Sequence, residues 1–278
     1  MKKCFVLLLA VLLLLTGCQF IGMEAEPFTG MEVTYLDVGN ADCEIIRMED
    51  GTNIVIDAGT KDQGKNIVGA LKRKGIRRID YLIATHPHAD HIGGMEEVVD
   101  STEIGAVVLP SVAHTSKTYE NLLKKIKEKE IPAIKAEAGV ILKETAQYKL
   151  RLVAPKKDET YESLNNYSAV LHVAYGNTKF LFTGDAEKLS ETEMLSYELR
   201  SDVLKVGHHG SKTSSSEKFI AKVNPRIAVI SCGKNNDYGH PHQEALDALK
   251  HAEVYRTDKN GDIIIHTDGA TLTAATEK

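Results

Sequence analysis

Three histidines and an aspartate fall within six positions at His86-Pro87-His88-Ala89-Asp90-His91, between Thr85 and the pair Gly93-Gly94. The apolar run Tyr81-Leu82-Ile83-Ala84 precedes them, so these side chains emerge where a buried strand gives way to a loop. Neutral imidazole and carboxylate are the donors that zinc, manganese and iron share. Alternation along an extended segment points His86 and His88 the same way. Asp90 and His91 follow at the turn, where they can serve a second ion beside the first. Two such half-sites let metal ions clamp both oxygens of an in-line displacement. A polar loop with exposed histidines is the bland alternative; it suits one histidine better than four ligand-type side chains at this spacing.

Other chemistry-bearing residues also follow apolar runs. Asp185 comes after Phe180-Leu181-Phe182 and a Thr-Gly turn, where it can bind a cation or cap the helix expected near Glu187. His208 and His209 follow Val203-Leu204-Lys205-Val206 and precede Gly210-Ser211, and His240 sits in a Gly-His-Pro turn. Asp37 and Asp57 each end an apolar run, where Asp57 can equally well be a plain turn-capping aspartate. Ser211, Lys212, Thr213 and Ser214 can donate to a phosphate or form a plain polar loop.

His-x-His-x-Asp-His after a short strand resembles the signature of the metallo-β-lactamase superfamily. Leu36-Asp37-Val38-Gly39, Ile56-Asp57-Ala58-Gly59, Phe182-Thr183-Gly184-Asp185, Val206-Gly207-His208-His209-Gly210-Ser211 and Tyr238-Gly239-His240-Pro241 are similar to segments of the soluble metallohydrolase domain of ComEC-type competence proteins. The likeness runs from about Met31 to about Gly269. It implies two divalent ions, zinc or manganese, held by His86, His88, Asp90, His91, Asp185 and His240. Asp185 would bridge them, His240 would complete the second site, and Asp57 would orient a ligand. It also implies hydrolysis of a phosphodiester, DNA being one candidate, with Asp90 steering the activated water. One of His208 and His209 would be a ligand or the proton donor to the leaving oxygen, and the sequence leaves open which. The chain departs from the superfamily before the Gly-Asp turn, where a further histidine ligand is usual: here stands Asn165-Asn166-Tyr167-Ser168. Asn166 or its neighbour would then be a weak oxygen ligand or touch substrate, as Ser211 would.

To place these residues, strands must alternate with helices. Val33–Leu36, Cys43–Met48 and Asn53–Ile56 read as an antiparallel start. Helices are expected around Ile67–Lys74, Met95–Val99, Tyr119–Glu130, Glu187–Leu199, Glu217–Val223 and Gln243–His251. Between them lie strands at Ala106–Leu109, Val140–Leu142, Lys149–Ala154, Val203–Val206 and Ile227–Ser231, and a hairpin turning at Gly176-Asn177. Periodicity alone gives a layered α/β protein; the resemblance implies a four-layer αβ/βα sandwich, the metallo-β-lactamase fold.

The 278 residues divide as 1–17, 18–30 and 31–278. Lys2-Lys3, the apolar run Phe5 to Leu15, and Leu15-Thr16-Gly17-Cys18 read as a signal peptide too short to span a bilayer. The Leu-Thr-Gly-Cys end resembles a bacterial lipoprotein signal, implying a lipid on Cys18, a tether over 18–30 and an extracytoplasmic, membrane-anchored hydrolase domain over 31–278. Cys43 and Cys232, each in an apolar run, are expected as buried free thiols, with a disulfide between them the lesser alternative. The net charge of −5 supplies no basic field to draw in nucleic acid, so a polyanion must be held by metals and local groups. A phosphorylcholine-like headgroup or wall ester is the alternative substrate, and a non-catalytic metal- or polymer-binding accessory the alternative class. Nothing in the sequence names a protein partner.

Overall fold

The computed structural model describes residues 28–278. The expected leader, Cys18 and the expected tether as far as residue 27 lie outside the described residues. Two sheets face each other. The first has eight strands in the order Leu272–Thr276, Ile263–Thr267, Met31–Tyr35, Glu44–Met48, Asn53–Ile56, Arg78–Ile83, Glu103–Leu109 and Ala133–Lys135. The second has seven, in the order Glu253–Arg256, Ile227–Ile230, Val203–Lys205, Thr178–Phe182, Val170–Tyr175, Tyr148–Ala154 and Ile141–Glu144.

Strand alternation assembles the layers. Ile54, Ile56, Phe180 and Phe182 point between the sheets into a shared core with Tyr35, Ile83, Leu171 and Ile265. Val55, one step out of phase, meets Ile67, Leu71, Val98 and Leu122 of the helices covering the first sheet. Leu181 likewise meets Met194, Phe219 and Ile220 of the helices covering the second. The result is the αβ/βα sandwich expected. Each fully buried side chain of this size stabilises by roughly 1.5–3 kcal/mol. No helix among the described residues is long and apolar enough to cross a membrane.

Parallel pairing aligns the strands' carboxyl ends along one rim. Asn53–Ile56, Arg78–Ile83 and Glu103–Leu109 run parallel in the first sheet, and Thr178–Phe182, Val203–Lys205 and Ile227–Ile230 in the second. Loops leaving those ends carry Asp57, His86 to His91, Asp185, His208 and His209, the usual place for a ligand in such sheets.

Several boundaries differ from the expectations. The helix expected over Glu187–Leu199 spans only Lys188–Met194, because its end tightens into i→i+3 turns, Leu195 donating to Thr192 and Tyr197 to Met194. The helix from Gln243 stops at Ala248 for the same reason, Leu249 donating to Leu246. The strand near Val140 is Ile141–Glu144. Ala133–Lys135 forms an edge strand of three residues, too short to show a period. Strands Val170–Tyr175 and Thr178–Phe182 pair across Gly176-Asn177 as expected. Cys43 and Cys232 are buried and free.

Candidate metal centre

Asp57 organises the loop after the Arg78–Ile83 strand. Fully buried, it accepts the Thr85 backbone N–H at 2.8 Å, the Thr85 hydroxyl at 2.6 Å and His91 Nδ1 at 2.6 Å. The last bond sets the tautomer and turns His91 Nε2 into the rim, the arrangement that tunes metal-binding histidines. His91 Nε2 lies 3.3 Å from Asp185 Oδ2 and 3.8 Å from Asp90 Oδ2.

His209 is oriented the same way from the other sheet. Its Nδ1 lies 3.0 Å from the Ser231 carbonyl and 3.3 Å from Asp42 Oδ1, leaving Nε2 to face Asp90 Oδ2 at 3.4 Å and Asp185 Oδ1 at 3.7 Å. His86 Nε2 stands 2.9 Å from His88 Nδ1 and 3.8 Å from Asp185 Oδ2. Among the described residues donor atoms thus form one group of Asp42, Asp57 and His91 and two groups that share Asp185. In each of the latter two, Asp90, His91, Asp185 and His209 on one side and His86, His88 and Asp185 on the other, the atoms lie within 4.8 Å of one another.

Three of these atoms are buried without a hydrogen-bond partner: His91 Nε2, His209 Nε2 and Asp185 Oδ1. Burying a polar atom unpaired costs roughly 1–3 kcal/mol each, so three orphans facing one point mark a cage shaped for cations. Electrostatics agree. Burial opposes protonation of His91 and His209, yet the carboxylates outweigh it: Asp185 and Asp57 lift His91 well above the usual histidine range, and Asp185 and Asp42 push His209 up to about 10. Burial would raise Asp185, but His91 and His209 hold it well below the carboxylate range. Protons on the histidines here answer a need for positive charge that a divalent ion meets better.

Beneath the cage, Asp42 accepts Lys205 Nζ at 2.7 Å, and both side chains are fully buried. Burial disfavours the Asp42 charge, but Lys205 and His209 more than offset it and hold its pKa down. Asp42 and Lys205 were missed in the sequence, although a lysine inside the otherwise apolar run Val203–Val206 signals a buried carboxylate partner.

His240, expected to complete the second site, lines the cavity over the cage together with Asp90, Asp185 and His209, its Nδ1 buried and without a partner. The fourth donor of the second group is His209, and the His240 ring lies outside it, 6.2 Å from His209 and 5.6 Å from His208 between centroids. His208 stands at the mouth, its Nδ1 2.9 Å from Thr213 Oγ1 and its Nε2 3.7 Å from Asp185 Oδ2. Asn166 is engaged at a helix start: its Oδ1 accepts the backbone N–H groups of Glu187 and Ser190, both at 3.3 Å, at the beginning of the Lys188–Met194 helix. Its neighbour Asn165 reaches His208 at 3.4 Å and carries a buried Oδ1 without a partner. Ser211 is engaged inside its loop, with its hydroxyl 3.1 Å from that of Thr213. Asp37 is outside the centre, 3.2 Å from Lys278.

A two-sheet αβ/βα sandwich with a histidine–aspartate cage at the strand ends defines a metallo-β-lactamase-type protein. The profile of the Metallo-beta-lactamase superfamily matches residues 36–234, and the chain belongs to that superfamily. Family and donor set together make it a metal-dependent hydrolase. ComE operon protein 3 of Bacillus subtilis (strain 168) is 37% identical over 203 residues, which cover 72% of this chain and 26% of that protein. Competence protein ComA of Neisseria gonorrhoeae is 30% identical over 258 residues, covering 90% of this chain and 34% of that protein. The chain therefore spans about a quarter to a third of the length of these curated relatives. Among solved structures, the metallo-beta-lactamase fold protein YhfI of Bacillus subtilis superposes with a TM-score of 0.57 at 11% identity, covering 88% of this chain and 100% of that one. CmlA, a diiron β-hydroxylase from Streptomyces venezuelae, superposes at 0.55 and 13% identity, covering 86% of this chain and 55% of that one. These two likenesses establish the fold.

Proposed function

We propose that the chain is an extracytoplasmic phosphodiesterase acting on DNA, anchored through a lipid on Cys18, with zinc or manganese in the cage. The observation that carries the hydrolytic reading is the convergence of His91 Nε2, His209 Nε2 and Asp185 Oδ1, buried and unpartnered, around one point. The competence proteins among the relatives support a nucleic-acid substrate. His86, His88 and Asp185 would hold one ion and Asp90, His91, Asp185 and His209 the other. When bound, such ions supply Lewis acidity and a nucleophile at neutral pH.

The chain's own groups do the rest. Water adds to phosphorus and loses a proton to solvent, from which His208 later recovers one, as the bond from phosphorus to the leaving oxygen breaks. Asp90, whose carboxyl His209 and His91 hold down at about 2 against the opposing effect of burial, stays ionised and orients the water. His208, steadied by Thr213, gives a proton to the leaving oxygen through Nε2. Lys212, exposed beside the mouth, can meet a non-bridging phosphate oxygen.

The net charge of −5 favours a second reading, a phosphorylcholine-like or wall ester. Reconstitution with manganese or zinc, followed by single- and double-stranded DNA, a generic diester, a phosphorylcholine ester and a β-lactam, separates them. The proposal expects DNA and the diester to be cut. Choline release with DNA left intact would select the second reading.

A further inference from the structure

The cavity over the cage, about 310 Å³, is lined by Asn40, Asp90, His208, His240 and Tyr238 among others. Tyr238 stands out there. It is 69% exposed, and the other large exposed apolar side chains among the described residues, Leu123, Ile141 and Leu189, are not aromatic. One face of its ring stacks on His240, with centroids 5.5 Å apart and planes 19° apart. His240 in turn is fixed by Asn236, whose Oδ1 accepts the His240 N–H at 2.9 Å and whose Nδ2 donates to the His240 carbonyl at 2.6 Å. Asn236 Nδ2 also donates to the Gly233 carbonyl at 2.9 Å. Gly239, at φ 72, makes the turn that lets Tyr238 lie over His240. The exposed ring is therefore held in place by a braced loop and lines the cavity in which Asp90 and Asp185 also lie.

A flat π-face held open to solvent beside a hydrolytic centre suits another flat ring. We infer that Tyr238 is a stacking platform for a base of a single-stranded nucleic acid, placing the adjoining phosphodiester over the cage; this rests on the phosphodiesterase reading above. In a duplex each base face is already covered by its neighbours, so the platform selects single strands. A quaternary ammonium group is the other natural guest of an aromatic ring, but its recognition uses a cage of several rings. Tyr238 is the one phenol lining this cavity among the described residues, with no phenyl or indole beside it.

The test compares the metal-loaded protein with Tyr238→Ala and Tyr238→Phe on two strands of equal length, a thymidine homopolymer and an abasic phosphodiester strand. The wild type should prefer the base-bearing strand. In Tyr238→Ala the ratio of kcat/KM between the two strands should fall roughly five- to hundredfold, through KM, because stacking is worth about that much per base. Tyr238→Phe should restore the ratio. An unchanged ratio in Tyr238→Ala, with both strands still cut, would overturn the platform and leave the phosphodiesterase standing. Failure of the wild type to cut either strand would overturn both. A defect of Tyr238→Ala confined to a phosphorylcholine ester would reassign the ring to a quaternary ammonium and overturn the inference.

Discussion

His208 and His209 are adjacent, both in the left-handed region at φ 52 and 54, and their neighbours divide the work between them. The turn sends His209 inward, where Asp42 and the Ser231 carbonyl hold Nδ1, and leaves His208 against Thr213 at the mouth. His208→Ala should lower kcat by roughly 10²–10⁴ while metal analysis shows the ions retained; loss of metal would make His208 a ligand instead of a proton donor. Asp57→Asn, which removes the charge holding the His91 tautomer, should weaken metal binding about 10- to 100-fold in competition with a chelator. At this scale the sequence speaks clearly only where donors are contiguous. His86, His88, Asp90 and His91 lie within one loop, so spacing alone brings them together. The choice between His209 and His240 depends on how two distant turns are packed, and no local pattern carries that.

Strands and helices decide which polar groups the centre can tolerate. Val203–Lys205 runs between two neighbours, buried throughout, and its lysine survives there because Asp42 arrives from the first sheet. Lys205→Met should therefore destabilise by about 3–5 kcal/mol in denaturant unfolding, because it strands the Asp42 charge. Adding Asp42→Asn should recover part of that loss, and a single variant of undiminished stability would deny the pairing. His172, on the Val170–Tyr175 strand, faces away from the inner core, and burial pushes it down to about 4 from the usual 6.5. The native state thus binds fewer protons than the unfolded chain between those values. Stability from this group is complete above pH 6.5 and declines as pH falls toward 4, by up to about 3 kcal/mol. Replacing His172 by leucine should flatten that part of the stability profile measured by thermal unfolding. Elements with a continuous apolar run, such as Asn53–Ile56, were readable from sequence. Ala133–Lys135 was not, because three edge residues take their conformation from the neighbouring strand.

For the molecule as a whole, the sandwich is a device for bringing two rims together. Asp57, His86, His88, Asp90 and His91 come from the first sheet and Asp185, His208 and His209 from the second, and the inner core of Tyr35, Ile83, Phe180 and Phe182 sets the distance between them. Periodicity could announce layers of α and β, but the facing of the two sheets followed only from the motifs. The most direct test is elemental metal analysis of protein loaded with manganese or zinc and then desalted. The account predicts two divalent ions per chain, fewer than one in Asp185→Ala, which strikes both groups, and about one in His209→Ala. Wild-type protein without bound metal, or a His240→Ala variant that loses an ion where His209→Ala keeps both, would contradict it.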